Sequence, residues 1–375
     1  IDNQPKMIKL AKTIFKQVII ISLITLFLLE IASYGLVKKG IIPNELPTWV
    51  TLHADKDFGH WHPKNITFDN IKTFCWESKI TYNNMGMRSV EDVSIAKTKK
   101  RVGLLGDSMI ENIELSDGQD IGSKIKKKLP DYEILNFSAR ATGLADQTII
   151  YKKLIKKFDL DYLFLFIHHN DFINNSVNGN ARYHHRQFDV IDNKIIEIPK
   201  NKALLEKYNS SLKYFIRNYS IKLKNFNIYK LYLHTKSLSK VKKQKPKQKV
   251  IKAKNYYKEF FQKNKLIYEY ISSSFMSEVN PDTKLFVIQN LQPLHFTANK
   301  NLNEKRLFLK EKIYPFYKAI WKNNNFIDPT NEAKSYIKDN NLLYPYFSWK
   351  CGDNHYNIEG SEFMSSLVAN IVNKN

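Results

Sequence analysis

Only two cysteines, Cys75 and Cys351, occur among 375 residues, which excludes a disulfide-stapled scaffold and any cysteine-rich zinc site. Outside the cytoplasm the two could pair; two free buried thiols are the other reading. Glycine and proline are scarce at 12 each, so neither a collagen-like repeat nor a linker-dominated chain fits. Acidic residues are short as well: 36 Asp and Glu face 59 Lys and Arg, a net charge of +23. One reading of that excess is compositional, because Lys, Asn, Ile, Tyr and Phe are abundant together, as in an AT-biased genome. The other is attraction to an anionic surface such as lipid headgroups or an acidic polysaccharide. No nucleic-acid-binding motif accompanies the charge, so nucleic acid is not an expected partner. Apolar and aromatic residues are plentiful, at 43% hydrophobic with 23 Phe and 21 Tyr. That fills a sizeable core in one large domain or two modest ones.

The amino terminus points to a compartment. Val18 to Leu29 is an uncharged apolar run, and past Glu30 the pattern continues to Val37, giving 20 residues, enough to cross a bilayer core as a helix. Lys6, Lys9, Lys12 and Lys16 precede it, against Lys38 and Lys39 behind. This imbalance predicts a cytoplasmic amino end with the remainder outside, on the periplasmic side of the cytoplasmic membrane. A cleaved signal peptide is the rival, but Glu30 and Tyr34 interrupt any small-residue cleavage site. The expected organisation is therefore a cytoplasmic tip and anchor over 1–39, a linker and irregular segment over 40–98, and a globular domain over 99–375.

Within that domain a strand-helix rhythm appears. Arg101–Leu105, Tyr132–Phe137, Asp161–Ile167, Leu285–Gln289 and Phe326–Asp328 read as apolar strands. Helices are expected near 117–128, 146–157, 256–278, 301–323 and 358–372. An insertion over about 174–255 interrupts the rhythm; it holds a hairpin turning at Asp192-Asn193 and a solvated run, Lys240–Lys254, with eight lysines and no acid. The alternation predicts an α/β fold, a doubly wound five-stranded parallel sheet, whose usual strand order is 2-1-3-4-5. Its ligand crevice would lie outside the carboxyl ends of strands 1 and 3.

Four motifs converge on that edge. Gly106-Asp107-Ser108 follows strand 1, and a serine hydroxyl there needs a neighbouring base to become a nucleophile. It is not the Gly-x-Ser-x-Gly elbow of α/β-hydrolases. Asp353-Asn-His355 lies in the loop before the last helix and offers a base with a carboxylate beside it. Asn170, in His168-His169-Asn170-Asp171 after strand 3, and the backbone after strand 2 in Asn136-Phe-Ser138-Ala-Arg-Ala-Thr-Gly143 offer oxyanion donors.

The order Gly-Asp-Ser, Asn-x-x-x-x-x-x-Gly, Asn-Asp and Asp-x-His resembles the four blocks of the SGNH (GDSL-like) hydrolase superfamily, over roughly residues 100–173 and 284–373. Gly59-His-Trp-His-Pro63 and Asn84-Met-Gly86-Met-Arg88 resemble the segment between anchor and first strand in its membrane-anchored bacterial members. The resemblance implies the flavodoxin-like SGNH fold. It also implies Ser108 as nucleophile, His355 as base, Asp353 as its orienter, and an oxyanion hole from Ser108, Asn170, Ser138 and Gly143. No cofactor is implied. Two departures stand out: Ser138 occupies the slot where the family places a glycine, and Asp353-x-His355 is one residue shorter than in many esterases. The short spacing is similar to that of polysaccharide O-acetyltransferase relatives.

The expected activity is thus a membrane-anchored serine esterase or deacylase acting through an acyl-serine, on an acylated small molecule or the O-acyl groups of an envelope or exported glycan. A polysaccharide O-acetyltransferase with the same residues is one alternative, and a catalytically silent glycan-binding or scaffold protein is another. Anionic surface contact is expected through Lys240–Lys254. The pairs His60/His62, His168/His169 and His184/His185 lack an acidic or cysteine partner at recognisable zinc spacing, so no metal is expected.

Overall fold

The structure, a computed structural model, describes residues 4–39, 41, 51–55, 57–72, 75–177, 186–198, 226–228, 230–232, 235, 253–296, 304–342 and 354–375. It forms two compact units, Ile1–Leu46 with Ile216–Val250, and Pro47–Phe215 with Ile251–Asn375.

The first unit is built on helix α1 (Gln4–Lys38). Its stretch Lys12–Lys38 holds an 18-residue window with a mean hydropathy of 2.2 and is long and apolar enough to cross a membrane. Glu30, the one acid in the run, is not left bare. Its carboxylate accepts the Asn227 N–H at 2.8 Å, the Asn227 side-chain amide at 2.9 Å and the Ile228 N–H at 2.9 Å.

The second unit opens with two short antiparallel ladders, β1 (His53–Asp55) with β2 (Gly59–Trp61), and β3 (Ile66–Lys72) with β4 (Glu77–Tyr82). Sequence reading takes 40–98 as irregular. The strands escape notice because they are three to seven residues long and β3 carries a register shift between Phe68 and Ile71. Burial of Phe68, Ile71, Ile80 and Tyr82 nonetheless makes this segment part of the folded unit.

The main sheet consists of β5 (Lys100–Leu105), β6 (Tyr132–Asn136), β7 (Tyr162–Ile167), β10 (Lys284–Gln289) and β11 (Phe326–Ile327), with the hairpin β8 (Gln187–Ile191) and β9 (Lys194–Ile198) lying outside it. All its pairings are parallel, in the order β6-β5-β7-β10-β11. This is the expected 2-1-3-4-5. Parallel neighbours need crossover connections. The shorter ones here are α2 (Ser108–Glu111), α3 (Ile121–Lys128), α4 (Leu144–Lys153) and α5 (Asp171–Asn174).

Why β7 lies at the centre is visible in its sequence, Tyr-Leu-Phe-Leu-Phe-Ile, which is buried at every position. Leu163, Leu165 and Ile167 pack with residues of α4, the helix Ala253–Glu278 and the helix Tyr314–Trp321. Tyr162, Phe164 and Phe166 pack with α3 and the carboxyl-terminal helix Ile358–Lys374. Each such aromatic contributes on the order of 2–3 kcal/mol by burial, so the run is stable only with both faces covered. The same covering leaves the strand ends Leu105, Asn136, Ile167 and Gln289 along one edge.

Candidate active site

The chain turns sharply where β5 ends. A Cβ on Gly106 would stand 3.1 Å from Ile110 Cγ1 and 3.2 Å from Phe166 Cβ, so the turn closes against α2 and β7 only without a side chain. Asp107 caps α2, its carboxylate accepting the Met109 N–H at 2.9 Å, and Ser108 becomes the first helical residue.

Ser108 Oγ lies 2.8 Å from His355 Nε2, across 247 residues of sequence. His355 is held through its neighbour. The Tyr356 hydroxyl donates to Asn290 Oδ1 at 3.2 Å and accepts the Leu291 N–H at 2.9 Å, while its carbonyl accepts Asn112 Nδ2 at 3.0 Å. Asn357 then caps the last helix through the Gly360 N–H at 2.9 Å. His355 is thereby fixed to the end of β10 and to the turn after Ser108.

Asp353 lies outside the described residues. The carboxylate described against His355 Nδ1 is that of Glu114, with Oε1 at 3.3 Å and the side chain 3% exposed. Nothing local in the sequence singles out Glu114. It follows Asn112, whose left-handed backbone (φ 52°) ends α2 and turns the chain toward His355.

Beside Ser108 a second chain of hydrogen bonds runs from β7. His168 Nδ1 donates to Asn170 Oδ1 at 2.7 Å, and Asn170 Nδ2 donates to Asp107 Oδ2 at 3.1 Å. This ladder sets which way the Asn170 amide faces. Burial opposes ionisation of Asp107, but hydrogen bonds from His168, the Met109 N–H and Asn170 outweigh it and hold the carboxyl below its usual range. Asp171 responds in the opposite direction: burial, then the nearby Asp107 charge, push its carboxyl well above the usual range. It still accepts the His168 N–H at 2.7 Å. Of the other two expected oxyanion positions, the Ser138 N–H is committed to Asn136 Oδ1 at 3.0 Å and the Gly143 N–H to Asp146 Oδ2 at 3.0 Å.

Behind α2 lies a buried polar hub centred on Glu111. Its carboxylate accepts the Tyr82 hydroxyl at 2.6 Å and the Arg140 N–H at 2.6 Å, and His62 Nε2 lies 3.1 Å away with its ring stacked on Tyr82. Burial raises the Glu111 carboxyl, but the charges of His62 and Arg140 and the Tyr82 hydroxyl bring it far below the usual range. His60 Nε2 meets the Arg140 carbonyl at 2.8 Å. Arg88 donates to the carbonyls of Glu111, Asn112 and Leu115, satisfying the orphan acceptors at the end of α2. The two motifs ahead of β5, around His60-Trp61-His62 and Met85-Gly86-Met87-Arg88, thus clasp the helix that begins at Ser108. Among the described residues no group of three or more His, Cys, Asp or Glu is arranged to hold a metal ion. His184, His185 and most of Lys240–Lys254 lie outside the described residues. Cys75 is disulfide-bonded, and the sequence's other cysteine, Cys351, also lies outside them.

No family model matches the chain, and no curated protein matches it. Solved structures do. TesA aligns over 73% of this chain and 99% of its own, at 9% identity and a TM-score of 0.37. A lipase/acylhydrolase from Enterococcus faecalis aligns over 73% and 96%, at 10% identity and 0.36. The acetyl xylan esterase AlAXEase aligns over 72% and 99%, at 12% identity and 0.37. Likeness this distant leaves the function to be argued from the chain's own site.

Proposed function

We propose that this chain is an SGNH-type serine esterase or deacylase working through an acyl-serine. The single observation that carries the proposal is the 2.8 Å contact between Ser108 Oγ and His355 Nε2. For Nε2 to accept the serine proton, the neutral imidazole must carry its own proton on Nδ1. Oγ bonds to the ester carbonyl carbon as the proton passes to Nε2, and the charge develops on the carbonyl oxygen. The Ser108 N–H and Asn170 Nδ2 are the donors proposed for that oxyanion. Collapse expels the alcohol, which takes the proton back from Nε2 and leaves the acyl group on Ser108. Water then attacks by the same route in reverse.

The proposed setting is extracytoplasmic, with α1 as an anchor rather than a cleaved signal. The apolar length of Lys12–Lys38 and the lysines ahead of it support this. The substrate class proposed is an O-acylated envelope or exported glycan, with Lys240–Lys254 contacting an anionic surface. The short Asp353-x-His355 spacing favours one second reading, in which a sugar hydroxyl rather than water receives the acyl group.

A fluorophosphonate probe tests the core of this. The full chain in detergent should be labelled on one serine, and Ser108→Ala should abolish both labelling and turnover of an activated ester. Labelling that persists in Ser108→Ala refutes the assignment. Partition of the acyl-enzyme between water and an added glycan decides between hydrolysis and transfer.

A further inference from the structure

The carboxylate that holds the base is open to a second answer, and the geometry points to Glu114. We infer that Glu114 is a positioning residue for His355, fixing its Nδ1–H tautomer and stabilising the imidazolium formed when Ser108 is acylated. The inference rests on the proposed acyl-serine reading.

Three observations support it. Glu114 Oε1 lies 3.3 Å from Nδ1 and Ser108 Oγ lies 2.8 Å from Nε2, so the carboxylate and the serine stand at opposite nitrogens of the ring. The Glu114 side chain is 3% exposed, where its charge is little screened by water and acts strongly on a neighbouring cation. Finally, the arrangement is braced. Asn112 Nδ2 sits 3.5 Å from Glu114 Oε2 and 3.0 Å from the Tyr356 carbonyl, tying the carboxylate's turn to the residue after the base. Nucleophile and carboxylate therefore share one span, 108–114, and the left-handed Asn112 makes that span turn back on itself.

The test compares Glu114→Gln and Asp353→Asn in the full chain, reading the rate of fluorophosphonate labelling against pH. Glu114→Gln should slow labelling by about 10²-fold and move the rising limb of the profile to lower pH by about one unit, because an anion beside the imidazole is lost. Asp353→Asn should leave that limb where it is in the wild type. A wild-type rate and profile in Glu114→Gln overturns the inference. So does a shifted limb in Asp353→Asn, which remains readable if Glu114→Gln does not fold. Failure of Ser108 itself to be labelled in the wild-type chain would instead sink the acyl-serine reading, so the two failures are distinguishable.

Discussion

Replacing Glu111 by alanine should destabilise the protein far more than its distance from the reacting atoms suggests. The carboxylate is fully buried, with Tyr82 and Arg140 donors at 2.6 Å and His62 at 3.1 Å. Three charge-assisted bonds at about 1.5–3 kcal/mol each would sum to more than one side chain delivers. They share one carboxylate, and its desolvation offsets much of their gain. The figure for breaking a buried ionic cluster, about 3–5 kcal/mol, is the better guide, because the His62 ring and the Arg140 amide are left facing a void. For a unit of roughly 300 residues, that loss lowers Tm by about 5–8 °C. Tyr82→Phe removes one donor and should cost about 1–2 kcal/mol. The double variant should cost less than the sum of the singles, because the tyrosine's partner is already gone. Thermal melts of the four proteins, followed by circular dichroism in one detergent, measure the cycle. A Glu111→Ala melt within about 1 °C of wild type, or strict additivity with Tyr82→Phe, would refute the idea that this hub holds α2 in place.

Other perturbations reach different parts of the site. His295 is buried beside Gln292 and Tyr314, and burial lowers it from 6.5 to about 4 against the opposing pull of the Gln292 backbone and Asp328. The unfolded chain therefore binds a proton that the folded chain refuses, and stability should fall as pH drops from about 6.5 towards 4, by roughly 3 kcal/mol. In urea titrations His295→Gln should lose that part of the slope, and curves parallel to wild type would contradict it. Asn170→Ala should slow acylation by about 10²–10³-fold if its amide faces the oxyanion; an unchanged rate assigns that task elsewhere. Gly106→Ala should cost about 1–3 kcal/mol and slow labelling of Ser108, since the new Cβ meets Ile110 and Phe166 near 3.1–3.3 Å. A melt and labelling rate equal to wild type would show the turn to be looser than its contacts indicate.

The main sheet was legible because its signal is local. Runs such as Tyr162–Ile167 are apolar at every position, and their alternation with amphipathic stretches dictates crossover helices. The pairing of Ser108 with His355 was legible for another reason: both stand beside elements whose order fixes where they lie. The segment 51–98 was not legible. Its ladders are too short to carry a period, and their stability comes from what they pack on. His60 and His62 illustrate the limit. As sequence they are a spaced pair with no acid at metal-binding distance, whereas in the fold they serve Arg140 and Glu111. Glu114 was invisible in the same way. A carboxylate six positions beyond a serine looks like a turn residue until Asn112 reverses the backbone.

The grip of Arg88 on the carbonyls of Glu111, Asn112 and Leu115 also bears on the order in which this protein is made. Its guanidinium emerges from the ribosome some two dozen residues before the acceptors it serves, so the nucleophile's helix can be clasped as soon as it appears. His355 follows 247 residues after Ser108. Ser108 is thus synthesised long before its histidine partner. Any product cut short before residue 355 would carry Ser108 without that histidine. Conversely, a chain begun at residue 99 would hold both Ser108 and His355 yet lack Arg88, His62 and Tyr82, which secure the Ser108 helix.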